Sequence, residues 1–268
     1  MTQTKAQHKP GLKTEAGPLG RVDVDKRTPK QDVQRPPVST ATATVLVGFV
    51  GLVASVFLFG SIADGVREHE VFALDTWATP FLHALASPGM DAVMNTLTTM
   101  GTSLVIVPVF VVAVVALLWQ RRYGAAVFLG LASGGALALE ATMKVIFERP
   151  RPRLAWARVL PDYSFPSGHT TNAVVFYIAL AVILWSVFGR RIGLVALSVA
   201  IVLALGVGVS RIYLGFHYLT DVVGGILAGI AWLLVVGAAF RARPNWWNWG
   251  RAVREARKRV GRGTAAAK

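Results

Sequence analysis

The sequence predicts an all-α, polytopic membrane protein in which six transmembrane helices form one helical bundle. Three observations carry that prediction. Hydrophobic residues make up 54% of the 268 residues and charged residues only 16%, where a soluble domain carries about a quarter. The apolar residues fall in blocks rather than at amphipathic spacing, and a spanning helix needs about 20 of them. Charge-free windows follow one another at 36–63, 92–120, 123–139, 170–189, 192–210 and 222–240.

The first 40 residues are rich in Lys, Pro, Thr and Gln, with no apolar period. They predict a disordered basic tail. This leader is long and the apolar core after it extended, so the first span reads as a signal anchor rather than a cleavable signal. Next comes an acidic segment containing "VFALDTWATPFLHAL", whose Trp77, Phe81, Leu82 and Leu85 predict an apolar face on the outer surface. Window 92–120 reads as one span and turns at Arg121–Arg122, and the third continues past Glu140 to Lys144. The fourth and fifth are joined at Arg190–Arg191. Gly206, Gly208, Gly224, Gly225 and Gly229 predict close helix contacts in the last two spans. After them "NWWNWGRAVREARKRVGR" sets three tryptophans beside a basic helical pattern, as in a helix lying in the cytoplasmic interface. The domains are thus a basic tail (1–40), a six-span membrane domain (41–240) and a second basic tail (241–268).

The net charge of +14 is unevenly spread. Residues 1–40 carry eight Lys/Arg and the tail after Phe240 carries nine, whereas 64–91 has Arg67 alone against five acidic residues. Cytoplasmic segments retain Lys and Arg, so both tails and both Arg-Arg turns are expected inside, as six spans require. The basic excess reads as orientation plus attraction to anionic membrane lipids, not as a nucleic-acid surface. The absence of cysteine excludes disulfides, thiolate metal sites and a cysteine nucleophile. No GxxxxGK[ST] loop is present to hold a nucleotide triphosphate.

One loop opposes the charge bias. The stretch "KVIFERPRPRLAWARVLPDYSFPSGH" puts Lys144, Arg149, Arg151, Arg153 and Arg158 on the predicted outside. Helix parity brings Arg211, His217 and Asp221 to the same face. His217 and Asp221 are four apart at a helix start and share a side of it. A carboxylate that takes the proton of one ring nitrogen leaves the other free to attack. Pro166-Ser167-Gly168-His169 at a helix N-terminus offers free N–H groups to an oxyanion. Lys144, Arg151 and Arg211 supply donors for a tetrahedral anion. Two histidines and three cations around one anion point to phosphoryl transfer through a phosphohistidine.

Other polar residues have plainer readings. His8, His69 and His83 lack motif company and read as surface or interfacial. Glu140, four residues before Lys144, reads as half of a structural ion pair, with tuning of the lysine as the alternative. Arg149, Arg153 and Arg158 either steer anionic headgroups or are solvated loop charges.

The stretches "KVIFERPRP", "PSGH" and "SRIYLGFHYLTD" resemble the three signatures of the type 2 phosphatidic acid phosphatase superfamily, which includes the vanadium haloperoxidases. Its patterns K-x6-R-P, P-S-G-H and S-R-x5-H-x3-D fall on Lys144, Arg151 and Pro152; on Pro166 to His169; and on Ser210, Arg211, His217 and Asp221. The resemblance covers roughly 70–240. It implies a metal-independent lipid phosphatase without a cofactor. It implies His217 as nucleophile, Asp221 as its orienting partner, and His169 as proton donor to the leaving alkoxide and activator of water. Lys144, Arg151, Arg211, Ser167 and the Gly168 N–H would hold the phosphate. Phosphatidic acid, phosphatidylglycerol phosphate and polyprenyl diphosphates such as the undecaprenyl carrier are the implied substrates, and the wording is similar to bacterial members, implying a bacterial plasma membrane. A lipid phosphotransferase with the same site, an anionic-lipid transporter and a haloperoxidase stay open.

Overall fold

Eight α-helices succeed one another in the computed structural model, which describes residues 38–242 apart from Val71 and Val159. They are α1 (Val38–Arg67), α2 (Ala73–His83), α3 (Pro88–Met100), α4 (Ser103–Trp119), α5 (Tyr123–Phe147), α6 (Gly168–Phe188), α7 (Arg190–Tyr213) and α8 (Leu219–Ala242). The described residues contain no strand. Among the described residues five helices are long and apolar enough to cross a membrane, and there are six candidate spans if α3 and α4, bent by 45° at their junction, are counted as one. The expectations for the tails fall outside the described residues over 1–37 and 243–268.

The expected single span over 92–120 is therefore broken, and local chemistry accounts for it. The hydroxyls of Thr96 and Thr99 donate to the carbonyls of Ala92 and Asn95, and Thr102 to that of Thr99. Such back-bonding competes with the helix ladder and bends it. The break falls at Gly101, where a Cβ would lie 2.6 Å from Val207 and 3.2 Å from Cβ and the carbonyl of His169. The span yields where it must pass the start of α6.

In lipid, helices gain little from hiding apolar surface from one another, so small residues and interhelical hydrogen bonds decide the contacts. The centre is α6, packed against α5, α7 and α8. Ala132, Ala136, Ala173 and Ala179 are fully buried there, with Val175 and Phe176 between them. Trp232 of α8 donates its indole N–H to the Ala132 carbonyl at 2.9 Å. The predicted contact glycines are all close-packed. A Cβ on Gly225 would come within 2.9 Å of the Ser167 carbonyl, and one on Gly224 within 2.6 Å of Phe165. These two let α8 lie directly under the start of α6. Large apolar side chains such as Phe57, Leu104, Val112 and Val202 remain exposed, as lipid-facing residues do.

The short α2 has two unlike faces. Trp77 and Phe81 stack at 4.8 Å and, with Leu85, stay exposed, while Leu82 packs toward Ala78, Ile212 and Val222. The expected apolar face exists without Leu82, which turns inward. Its opposite side buries Asp75, Ala78 and Thr79, and the aspartate there needs a partner. Antiparallel succession puts the end of α5, the start of α6, the end of α7 and the start of α8 together. Arg121–Arg122 and Arg190–Arg191 turn at the opposite end.

Candidate active site

Two connections bring the polar residues together. Glu148, at φ 45°, ends α5 in a left-handed turn and releases the loop that runs to α6. Between α7 and α8 the turn depends on Gly215 at φ 72°, where a Cβ would also press on Ala157 and Leu154 at 2.8 and 2.9 Å. Only glycine meets both demands without strain. The α5–α6 loop is thereby seated on the turn that carries His217.

His217 is 1% exposed. Its Nδ1 lies 3.4 Å from Oδ2 of Asp221, which also accepts the Tyr218 N–H at 2.9 Å. Its Nε2 lies 3.1 Å from Nη1 of Arg151, which donates to the Phe216 carbonyl at 2.7 Å. A guanidinium only donates, so Nε2 must be the accepting nitrogen and the ring proton sits on Nδ1, facing the carboxylate. Burial pushes this imidazole down to about 4, against the pull of Asp221 in the other direction. At neutral pH His217 is uncharged, with its lone pair turned toward the cations.

The start of α6 is bound to the same centre. The Ser167 N–H donates to the Asp221 backbone carbonyl at 3.0 Å, and its hydroxyl pairs with that of Thr170 at 2.9 Å. Gly168 opens the helix, and a Cβ there would run into the Glu140 carboxylate. His169 follows, partly buried and within electrostatic reach of Arg211, His217, Lys144 and Arg151. Glu140 lies 2.9 Å from Lys144 and accepts from Asn172 at 3.1 Å, the ion pair expected of it.

The three cations differ in their partners. Lys144 reaches Oδ2 of Asp162 at 2.8 Å. Arg151 grips the same carboxylate through Nη2 at 2.8 Å and Nε at 3.0 Å. Arg211 is 5% exposed, donates to Thr98 at 2.9 Å and lies over the Phe216 ring at 4.3 Å. Its Nε is buried without a protein partner. An unpaired buried donor beside a histidine is what an anion-binding site offers.

Arg149 and Asp75, given no site role by the sequence, are bonded into this cluster, and His83 is more than a surface residue. Arg149 is neither a steering charge nor a solvated one. Its Nη1 donates to Asp221 Oδ1 at 2.5 Å and to Thr220 at 2.7 Å, and its Nη2 to Asp75 at 2.7 Å. Asp75 in turn accepts the Thr220 N–H at 2.8 Å and its hydroxyl at 2.6 Å. Burial works against the charge of Arg149, but Asp221 and Asp75 outweigh it and raise its pKa. The signal was Asp75 on the side of α2 opposite Trp77, since a buried carboxylate demands a cation. His83, read as surface or interfacial, stacks on Trp156 at 4.0 Å and helps seat the α5–α6 loop.

Comparison with known proteins shows the family. The family model described as "PAP2 superfamily" matches residues 123–247. The chain is 30% identical over 185 residues to phosphatidylglycerophosphatase B of Bacillus subtilis, covering 68% of this chain and 91% of that protein. It is 31% identical over 108 residues to the undecaprenyl-diphosphatase BcrC of the same organism, covering 38% of this chain and 51% of BcrC. Among solved structures, the transmembrane PAP2-type phosphatidylglycerolphosphate phosphatase of Bacillus subtilis superposes with a TM-score of 0.66 at 27% identity. That likeness covers 72% of this chain and 96% of the other. With its spans, its gathered histidines and cations, and a relative matched over nearly its whole length, the chain belongs to the PAP2 superfamily and is a membrane phosphatase.

Proposed function

We propose that this protein hydrolyses a phosphomonoester or diphosphate on a lipid, through a phosphohistidine, at the extracytoplasmic face of a bacterial plasma membrane. The observation that carries the reading is buried His217, with Nδ1 3.4 Å from Asp221 Oδ2 and Nε2 3.1 Å from Arg151 Nη1. Nε2 attacks phosphorus as the bond to the lipid oxygen breaks. His169 gives its proton to that oxygen, and Asp221 balances the charge that forms on the phosphorylated ring. His169 then takes a proton from water, which attacks phosphorus, and the P–N bond breaks to return the lone pair to Nε2. Lys144, Arg151 and Arg211, with the Ser167 hydroxyl and the Gly168 N–H, hold the phosphate oxygens throughout. These charges fill the role a metal has in other phosphatases, so chelators are expected to leave turnover unchanged.

The lipid substrate is supported by the site's position at the ends of the spans and by the relatives' names. Phosphatidic acid, phosphatidylglycerol phosphate and undecaprenyl diphosphate are the candidates. Phosphate release from each by the purified protein tests the proposal, and release from none of them would end it.

The proposed side of the membrane has its own test. Ala155 lies exposed in the α5–α6 loop and Gln120 lies exposed at the opposite end. A cysteine at 155 is expected to react with an impermeant thiol reagent in intact cells, and one at 120 only after the membrane is opened. The reverse pattern would put the site inside.

Arg149 is proposed to position Asp221 rather than to touch substrate. Removing one partner of a buried ion pair costs about 3–5 kcal/mol, here shared between stability and catalysis. Arg149→Met is expected to lower kcat more than tenfold and the melting temperature by several degrees, with KM nearly unchanged. Steady-state kinetics decide the matter, because a rise in KM alone would make Arg149 a substrate ligand.

A further inference from the structure

Two of the three cations proposed for the phosphate already hold an anion of the protein's own. Asp162 lies in the α5–α6 loop, and its Oδ2 accepts from both Lys144 and Arg151 at 2.8 Å while Oδ1 accepts from Arg151 Nε at 3.0 Å. A phosphate held by these two residues would use the same donors. The same guanidinium faces His217 Nε2 through its remaining nitrogen, Nη1, at 3.1 Å, so the carboxylate and the attacking nitrogen share Arg151. Its side chain is 48% exposed, against 17% for Lys144 and 10% for Arg151, which leaves it room to turn out into solvent. Burial acts to raise its pKa, but Arg151 and Lys144 outweigh this and hold the carboxyl well below the usual range. It is ionised whenever substrate arrives.

Resting on the phosphatase reading, we infer that Asp162 is a specificity-determining residue, a tethered monoanion that keeps phosphodiester lipids out of the cradle and yields to terminal phosphate groups. A bilayer presents many monoanionic phosphodiester headgroups, and three unoccupied cations would bind them. Exchanging the carboxylate for a diester replaces one negative charge with another. That exchange gains nothing electrostatically, and the tethered group has the advantage of an effective concentration on the order of millimolar. A phosphomonoester, or the terminal phosphate of a diphosphate, brings close to two charges above its second pKa of about 6. It replaces one negative charge with two beside Lys144, Arg151 and Arg211, so it displaces the carboxylate. Specificity here comes from an element that opposes the wrong ligand as much as from contacts to the right one.

The test compares wild type with Asp162→Asn, which keeps the side chain's size and loses its charge. Asp162→Ser, smaller and uncharged, serves as a second variant. Binding of phosphatidylglycerol is titrated by native mass spectrometry, and phosphate release from phosphatidic acid is followed in mixed micelles. In both variants the phosphatidylglycerol Kd is expected to fall about tenfold or more, with KM for phosphatidic acid falling no more than about threefold. An unchanged or weakened phosphatidylglycerol Kd would overturn the inference, leaving Asp162 as a brace for Arg151. Equal falls in Kd and KM would also overturn it, since Asp162 would then compete without discriminating. Absence of phosphate release by the wild type would sink the phosphatase reading alone, because the phosphatidylglycerol titration is independent of turnover.

Discussion

Replacing His217 with alanine is expected to abolish phosphate release, a loss on the order of 10⁴–10⁶-fold in kcat, as for other covalent nucleophiles. The effect is chemical and not a collapse of the site. Arg151 Nη1 keeps its bond to the Phe216 carbonyl, and Asp221 keeps the Tyr218 N–H and Arg149. The cations therefore stay in place, and vanadate, which adopts the trigonal-bipyramidal shape of the transferring phosphoryl group, is expected still to bind the variant. Loss of both turnover and vanadate binding would mean that the substitution had dismantled the cradle. Turnover near wild type would remove His217 from the mechanism.

His169→Ala is expected to separate substrates by their leaving groups. General acid assistance is worth about 10²–10⁴-fold, and only a poor leaving group needs it. A lipid alkoxide is such a group, so hydrolysis of phosphatidic acid is expected to fall by that factor. An activated aryl phosphate leaves without a proton, and its first step is expected to survive largely intact. Its full turnover still requires water activation, so a burst of phenol followed by a slow steady rate is the expected trace. Equal losses on both substrates, with no burst, would give the proton-donor role to another group.

The spans were legible because a membrane imposes a coarse rule, and charge-free stretches of sufficient length have few other uses. The same rule is blind to what happens inside a span. The break at Gly101 comes from threonine hydroxyls and from the approach of His169, neither of which alters hydropathy. His217 and Asp221 were legible as a pair from their four-residue step, and His169 and the three cations from helix parity, which puts them at the same end of the bundle. Arg149 and Asp75 were not, since the partners are 74 residues apart and meet only when α2 folds back over the start of α8. Nothing local distinguishes Arg149 from Arg153, two proline-linked steps along the same loop. Asp162 escaped for another reason. An acid in a polar loop is ordinary, and only the folded chain places it 2.8 Å from both Lys144 and Arg151.

The central claim is that His217 carries the phosphoryl group, and trapping that species tests it most directly. Wild-type protein mixed with phosphate-labelled substrate and quenched within a turnover is expected to hold label that is stable in base and lost in acid. Peptide mapping is expected to place it on His217, with more label retained in His169→Ala, where water attack is slowed, and none in His217→Ala. Label on another residue, or multiple turnovers by wild type with no labelled protein at any quench time, would contradict the account.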